Sequence, residues 1–431
     1  MRLGLGNTLV NGGGSLNPDG LSLDLQFATD KTLTARKGPT PTFTRASTAT
    51  FVGSNGLIQS AAINDARFDH DPVTLACKGL LIEESRTNSL LHSANFKNTT
   101  SSYWDNLSTT TVTVDQTISP DGGVNADLLT TSATAFDCFT RRNNAYAGST
   151  QYTYSIFLKQ GPSSHRYVGL YIGVGITATQ FPFFDFNNPT VVQIPSGTPV
   201  GTINSTKVDA YPNGWYRVSI TFTTAATPVT LFSGVYISTS NGILPAAPTA
   251  GQDAYIWGIQ SELGAFPTSY IPTTTASVVR SADVCSITGS DFTGFTKLGE
   301  GTVVVHGDSY QGTTPAFCQF SNDTNGARSF NFQRNTSTGA LEYSDSGSGV
   351  LAVAASPSYP VKFGATRDQA TGVRLVYNGI IGSGSAFTTN GVQTRMLIGN
   401  SGIGLPLNGC IRSIKHFKRK LSNAKLQALT T

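Results

Sequence analysis

Gly299–Thr314, GEGTVVVHGDSYQGTT, is the stretch whose reading decides the fold. The run Thr302–Val305 is β-branched and reads as a strand. It delivers His306-Gly307-Asp308-Ser309, which would set a serine hydroxyl at a strand end, where a hydrolytic enzyme could hold a nucleophile. Such an enzyme also needs a base, typically in an Asp-x-x-His near the C-terminus, and oxyanion donors from separate Gly and Asn blocks. His416 has Ser413 three residues before it, and Asp-x-x-His occurs nowhere in the chain. That enzyme fold would alternate strands with helices, whereas here strand follows strand: GTVVVHG, FCQFSN, SFNFQR, ALEYSD, VKFGATR, VRLVYNG, RMLIGN and CIRSIKHF. Val303 and Val305 therefore read as filling a core face and Gly307-Asp308 as a turn. Ser309 becomes a hydroxyl at the end of a strand in an all-β domain.

Composition agrees. The chain has 431 residues, enough for two or three domains. Aromatics are 10% and charged residues only 13%, about half the usual share of roughly 25%. With 45 Gly and 20 Pro, this is the texture of many short strands joined by tight turns. The 24 Phe and 15 Tyr exclude a chain too polar to collapse. The net charge of +4 is spread thinly, and the one basic cluster, RSIKHFKRKLSNAK, reads as a solvated helix or strand edge. A nucleic-acid partner would want a wider basic footprint. Cys77, Cys138, Cys285, Cys318 and Cys410 are far apart, odd in number and without metal spacing, and read as free thiols of a protein folded in a reducing cytoplasm. The N-terminus lacks the apolar segment of a signal peptide, and no run of ~20 apolar residues predicts membrane insertion.

The chain divides into four parts. Residues 1–20 are Gly/Asn-rich and predict an extended anchoring arm. In 21–94, LSLDLQF (Leu21–Phe27) alternates as a half-buried strand, Ser54-Asn55-Gly56 marks a hairpin, and GLLIEESRTNSLLHSANF is ambiguous between helix and strand. This part holds too few strands for a core of its own, so it is expected to complete the C-terminal sandwich. Residues 95–275 carry YTYSIFLKQ, HRYVGLYIGV, WYRVSITFT, VTLFSGVYIS and AYIWGIQSEL between turn signals, an antiparallel jelly roll with Trp215 and Trp257 in its core. A Pro/Thr-rich crossing leads into a second sandwich over 276–431, closed by a short helix that Ser422 caps. The fold class is all-β: two antiparallel β-sandwich or jelly-roll domains behind a short arm.

Other clusters yield to structural readings. Asp69, His70 and Asp71 are neighbours on an extended chain and point to opposite faces, so they do not converge on one atom. Glu83 and Glu84 diverge in the same way, whereas glycosidase carboxylates face each other ~5–10 Å apart. Pairing with Arg67 or Arg86 is expected instead. The Gly-rich pieces GVGITA and GSGSAF precede no helix and so are not phosphate loops.

The phrases FTRASTATFVGSNGLIQSAAINDARFDHDP, GLLIEESRTNSLLHSANF, NGWYRVSITFT, AYIWGIQSELGAFPTSYIPT and LNGCIRSIKHFKRKLSNAKLQALT resemble a family of tailed-bacteriophage virion proteins, the fibre and head-spike proteins. The likeness runs from about residue 20 to 431. It implies a jelly roll like a carbohydrate-binding module and a C-terminal domain like concanavalin and laminin-G lectins. It further implies a structural, non-enzymatic component of the virion surface, made in the host bacterial cytoplasm. Capsid, portal or tail proteins would hold the arm, copies would associate as a homotrimer, and host-surface polysaccharide would be the ligand. A capsid decoration or cement protein without ligand, and a polysaccharide depolymerase, are the alternatives. Sugar binding wants exposed rings to stack on pyranose faces. Tyr103, Trp104, Tyr146, Tyr310 and Tyr343 are the loop candidates, with core packing or subunit contact as the competing role of each. No cofactor is expected beyond a structural Ca²⁺, for which SPDGGVNAD, SNDTNGAR, Asp253 and Glu262 offer oxygens.

Overall fold

The computed structural model describes residues 20–97, 103–106, 110–132, 139–173, 179–194, 201–238, 243–244, 249–309, 316–322, 328–335, 339–345, 349–354, 359–386, 392–401 and 406–431. The chain is nearly all β. Before the jelly roll come β1 (Leu21–Leu25), α1 (Phe27–Asp30), β2 (Thr42–Thr44), β3 (Ala49–Val52), β4 (Ile58–Ala61), β5 (Phe68–His70), β6 (Cys77–Ile82) and β7 (Arg86–Asn88). The jelly roll contains β8 (Asp105–Asn106), β9 (Thr110–Ile118), β10 (Val124–Thr131), β11 (Phe139–Tyr146), β12 (Gln151–Gln160), β13 (Tyr167–Gly173), β14 (Thr179–Gln180), β15 (Phe183–Asp185), β16 (Val192–Gln193), β17 (Thr202–Tyr211), β18 (Trp215–Thr223), β19 (Val229–Ile237), β20 (Ile243–Leu244) and β21 (Asp253–Leu263). After it come β22 (Val278–Arg280), β23 (Val284–Thr288), α2 (Gly289–Phe295), β24 (Glu300–Gly307), β25 (Ala316–Ser321), β26 (Arg328–Arg334), β27 (Leu341–Asp345), β28 (Gly349–Ala354), β29 (Val361–Asp368), β30 (Gly372–Tyr377), β31 (Ile380–Ser385), β32 (Arg395–Ile398), β33 (Gly409–Phe417) and α3 (Asn423–Thr430).

Strands from both ends of the chain build one sandwich. Its larger sheet runs β31-β30-β29-β24-β33-β6-β5, with β1 also on β33. The facing sheet runs β2-β23-β32-β25-β26-β27-β28. Leu21 to Leu25 pair antiparallel with Phe417 to Ile414, and Leu80 to Ile82 with Ile411 to Gly409. Between the sheets lie Leu23, Leu25, Phe27, Phe43, Leu80 and Ile82 from the early strands, packed with Val303, Val305, Phe317, Phe320, Phe363 and Ile414. The run Val303–Val305 behaves as its alternation predicts: Val303 and Val305 face this core, and Val304 packs on the other side under Leu426 of α3. The Ser422 hydroxyl accepts the Lys425 N–H and caps α3. The stretch GLLIEESRTN resolves as strand, the end of β6 and then β7.

The jelly roll is inserted in this sandwich. Its sheets run β17-β18-β12-β21-β10-β9 and β16-β15-β13-β19-β11-β8. Tyr154, Ile156, Leu158, Leu170, Val218, Ile220, Val235 and Ile256 fill the space between. Trp215 and Trp257 are fully buried, and the Trp215 indole donates to Ile118 O at 2.9 Å. The chain enters and leaves this unit through β7 and β22, which pair antiparallel with each other.

Two expectations are corrected. The basic cluster is not a strand edge: β33 is interior, hydrogen-bonded to β24 on one side and to β1 and β6 on the other. Within the strand only Arg412 and Lys415 carry charge, part-buried, while Ile414 and His416 are committed to the inside; Lys418, Arg419 and Lys420 lie past its end at Phe417. Tyr103, Trp104 and Tyr343 are not open rings. Tyr103 and Trp104 lie in the jelly-roll core, Trp104 beside Phe96 at 5.1 Å, and Tyr343 lies in the sandwich core beside Phe330 and Phe332. Tyr146 is also buried, its hydroxyl bonded to Ser233 Oγ at 2.7 Å.

Candidate functional site

The two units meet over a buried ionic cluster. Arg67 precedes β5, Glu83 follows β6, and Asp283 precedes β23, so the sandwich topology brings them together. Arg67 Nη1 donates to Glu83 Oε2 at 2.8 Å and Nη2 to Asp283 Oδ2 at 2.5 Å. Arg45 reaches Asp283 Oδ1 at 3.2 Å, and Arg280 Nε lies 3.6 Å from Glu83 Oε2. The side chains of all five are at most 1% exposed. From the crossing out of the jelly roll, the Ser269 N–H and hydroxyl both donate to Glu83 at 2.7 Å. Burial alone would raise the Glu83 pKa. Arg280, Arg67 and the two Ser269 hydrogen bonds outweigh it and hold the carboxyl down to about 2. Burial likewise works against the Arg67 cation, but Glu83 and Asp283 keep its pKa above the ordinary arginine value. The cluster ties the segments before the jelly roll (Arg45, Arg67, Glu83) to those after it (Arg280, Asp283), and reaches the crossing through Ser269.

Above the cluster, a cleft of about 130 Å³ opens between β5–β6 and β17 of the jelly roll. Sequence reasoning passed over most of its side chains. Lys207, Asp209 and Tyr211 are two apart along β17, which puts them on one face, and that spacing is the signal that could have found them. Lys207 Nζ meets Asp209 Oδ2 at 2.9 Å with both side chains partly exposed. Opposite, Lys78 Nζ meets Asp69 Oδ2 at 2.6 Å, while Asp69 Oδ1 accepts the Val52 N–H at 2.8 Å. Tyr211 stands edge-on to Phe157, ring centres 5.0 Å apart, and burial pushes its phenol up to about 12. The cleft thus offers two ammonium–carboxylate pairs and a neutral phenol, a donor-and-acceptor set suited to a hydroxyl-rich ligand about one ring in size.

The residues that the sequence put forward for chemistry are otherwise engaged. Ser309 Oγ is buried and donates to Leu407 O at 2.9 Å. His416, the base a hydrolase would have needed, is buried on the inner side with Nδ1 2.7 Å from Ser22 Oγ. Burial, with Arg367 and Lys418 nearby, brings that imidazole down to about 3, so it stays neutral. Asp71 closes a turn by accepting the N–H groups of Val73 and Thr74. Glu84 is engaged by Arg86, whose Nε donates to it at 2.6 Å. Of the Ca²⁺ candidates, Asp253 accepts from Ser163, Glu262 from Thr268 and Gln260, and Asp121 bonds within its own turn. Among the described residues no three His, Cys, Asp or Glu side chains converge on a metal position. Cys77, Cys285, Cys318 and Cys410 form no disulfide. Tyr310, Cys138, the arm up to residue 19 and most of SNDTNGAR lie outside the described residues.

Ser309→Ala is expected to lower stability by about 1 kcal/mol, the net worth of one hydrogen bond. It should leave ligand binding unchanged, as read by urea denaturation beside a binding assay. Loss of an activity without loss of stability would restore the nucleophile reading.

No protein-family model matches this chain, and no curated protein matches it. The solved structures it is similar to include a carbohydrate-binding module and a sialidase. One is the CBM40 module of Ruminococcus gnavus IT-sialidase bound to α2,6-sialyllactose, at 17% identity and TM-score 0.28, covering 31% of this chain and 84% of that one. Another is the Trypanosoma rangeli sialidase in complex with the inhibitor DANA, at 11% identity and TM-score 0.29, covering 72% of this chain and 66% of that one.

Proposed function

We propose that the protein is a non-catalytic adhesin of a tailed-phage particle that binds glycan in the cleft between its two units. The cleft carries the reading: paired ammonium and carboxylate groups with Tyr211 line it, whereas Ser309, His416, Asp71 and Glu83 are held in structural bonds. Vicinal sugar hydroxyls donate and accept at once, as Lys207–Asp209 and Lys78–Asp69 can in return. The virion assignment rests on the resemblance of phrases such as FTRASTATFVGSNGLIQSAAINDARFDHDP and AYIWGIQSELGAFPTSYIPT to fibre and head-spike proteins. On this reading the arm holds capsid, portal or tail proteins, copies associate in threes, and host-surface polysaccharide is the ligand.

The test presents the full chain, multivalently, to an array of bacterial surface glycans. Binding is expected, and Lys207→Ala with Asp209→Ala should weaken it roughly tenfold or more, the worth of hydrogen bonds to charged groups. Absence of binding at high valency would replace adhesion with capsid decoration. Loss of polysaccharide viscosity on incubation would replace it with depolymerisation. Gold-labelled antibody on purified particles should mark a peripheral position; unlabelled particles would overturn the virion role.

A further inference from the structure

The outer face of the larger sandwich sheet carries a second concavity, a groove of about 300 Å³ lying between α3 and the start of α1. Its floor is read from the register. His306 stands opposite Lys362 of β29 and Ser413 of β33, and Val304 stands opposite Lys415. These side chains alternate with the core residues Val303, Val305, Phe363 and Ile414, so all point away from the core. Leu429 of α3 and Gln26, just before α1, form the walls.

We propose that this groove binds an oxyanion: a carboxylate, sulfate or phosphate group. Lys415 is half-buried in mid-sheet, where no sheet edge needs protection, and has no ion-pair or hydrogen-bond partner among the described residues. Its cross-strand neighbour Asp24 is instead engaged by the Gln26 side chain at 2.5 Å. Lys362 donates one hydrogen to Thr431 O at 3.1 Å, which leaves two of its three for a ligand. The side chains of His306 and Ser413 likewise have no hydrogen-bond partner among the described residues. The remaining nearby charges are Arg412, with Asp308 4.0 Å from it at the far end of the strand pair. Burial above all, with Arg412 and Lys362 adding to it, brings the His306 imidazole down to about 4. Two ammonium groups, an imidazole and a hydroxyl around one hollow are the donor set for an oxyanion. The source is either a free inorganic ion or an acidic substituent on a polysaccharide. The groove is separate from the cleft and stands whether or not the cleft binds glycan.

The test is calorimetric titration of the full chain with inorganic sulfate, inorganic phosphate, oligogalacturonate, a sulfated oligosaccharide and neutral dextran. At least one anionic probe should bind, more weakly as salt rises. Saturation by the inorganic ions alone assigns a free ion, and preference for the oligomers assigns a glycan substituent. The double variant Lys362→Gln/Lys415→Gln should lose roughly ten- to hundredfold in affinity, the worth of hydrogen bonds to charged groups. Lys415→Arg should retain binding, and so should Lys159→Gln in the jelly roll. Should the double variant fold poorly, the wild type answers alone: saturating sulfate should raise the His306 pKa and leave His416 unmoved, read from ring-carbon shifts by NMR. Affinity unchanged in a folded double variant, equal binding of dextran, or a His306 signal that ignores every anion would each overturn the proposal.

Discussion

Arg67→Met is expected to destabilise the protein by about 3–5 kcal/mol, the usual cost of removing one partner from a buried ion pair. The reason is not the lost attraction as such. Arg67 holds Glu83 and Asp283 at once and also donates to Thr50 O at 2.8 Å. Without it, the only cations left to two fully covered carboxylates are Arg45 and Arg280, the latter at 3.6 Å, beside the neutral donors of Ser269 and the Glu83 N–H. Urea denaturation at pH 7 measures the loss, which is a large part of the ~5–15 kcal/mol that holds a domain folded. Acid should act on the same cluster. The Glu83 carboxyl is held at about 2 in the folded state, below its ordinary value of 4.5. Its contribution is therefore fully present above about pH 4.5 and disappears as pH falls toward 2. Glu83→Gln should flatten the stability profile across that window. An Arg67→Met protein as stable as the wild type would mean that the cluster is dispensable to the junction.

The second large effect concerns the chain's ends. Residues 276–431 alone are expected not to fold. They would lack β1, β5 and β6 from one sheet and β2 from the other. The early residues Leu23, Leu25, Phe27, Phe43, Leu80 and Ile82 are all core. At ~1.5–3 kcal/mol for each buried side chain, their removal takes of order 10 kcal/mol, comparable to the whole stability of a domain. Circular dichroism and amide dispersion by NMR would read this directly, and adding a peptide of residues 20–94 should restore part of the signal. A stable, dispersed spectrum from 276–431 alone would contradict the shared core.

The fold was legible where alternation is clean. Val303 and Val305 face a core as their alternation says, and so do Leu23 and Leu25, whereas the strand expected over Leu21–Phe27 ends at Leu25, Phe27 reaches the core from α1, and Ser22 and Asp24 are buried too. The site was not legible for a geometric reason. Alternation names the two faces of a strand but not what covers them, so Tyr103, Trp104 and Tyr343 were open to both a sugar-stacking and a core role, and the structure gives them the core role. The cleft joins Asp69 and Lys78 to Lys207 and Asp209, which are distant in sequence and meet only through the insertion. The basic cluster misled through composition. Charges suggested an edge, but β33 gains both neighbours from strands at the other end of the chain or far upstream. Glu83 was readable as an arginine partner, because adjacent carboxylates on a strand diverge and must each find a cation.

The pairing of β7 with β22 has a mechanical consequence. An appended domain hangs from a single peptide, which bears all the load and can be severed by one protease. Here the jelly roll hangs from two, clasped side by side by backbone hydrogen bonds. Tension on this unit is shared across both and loads their ladder along its length. A single nick in either crossing leaves the unit attached, and only a double cut releases it.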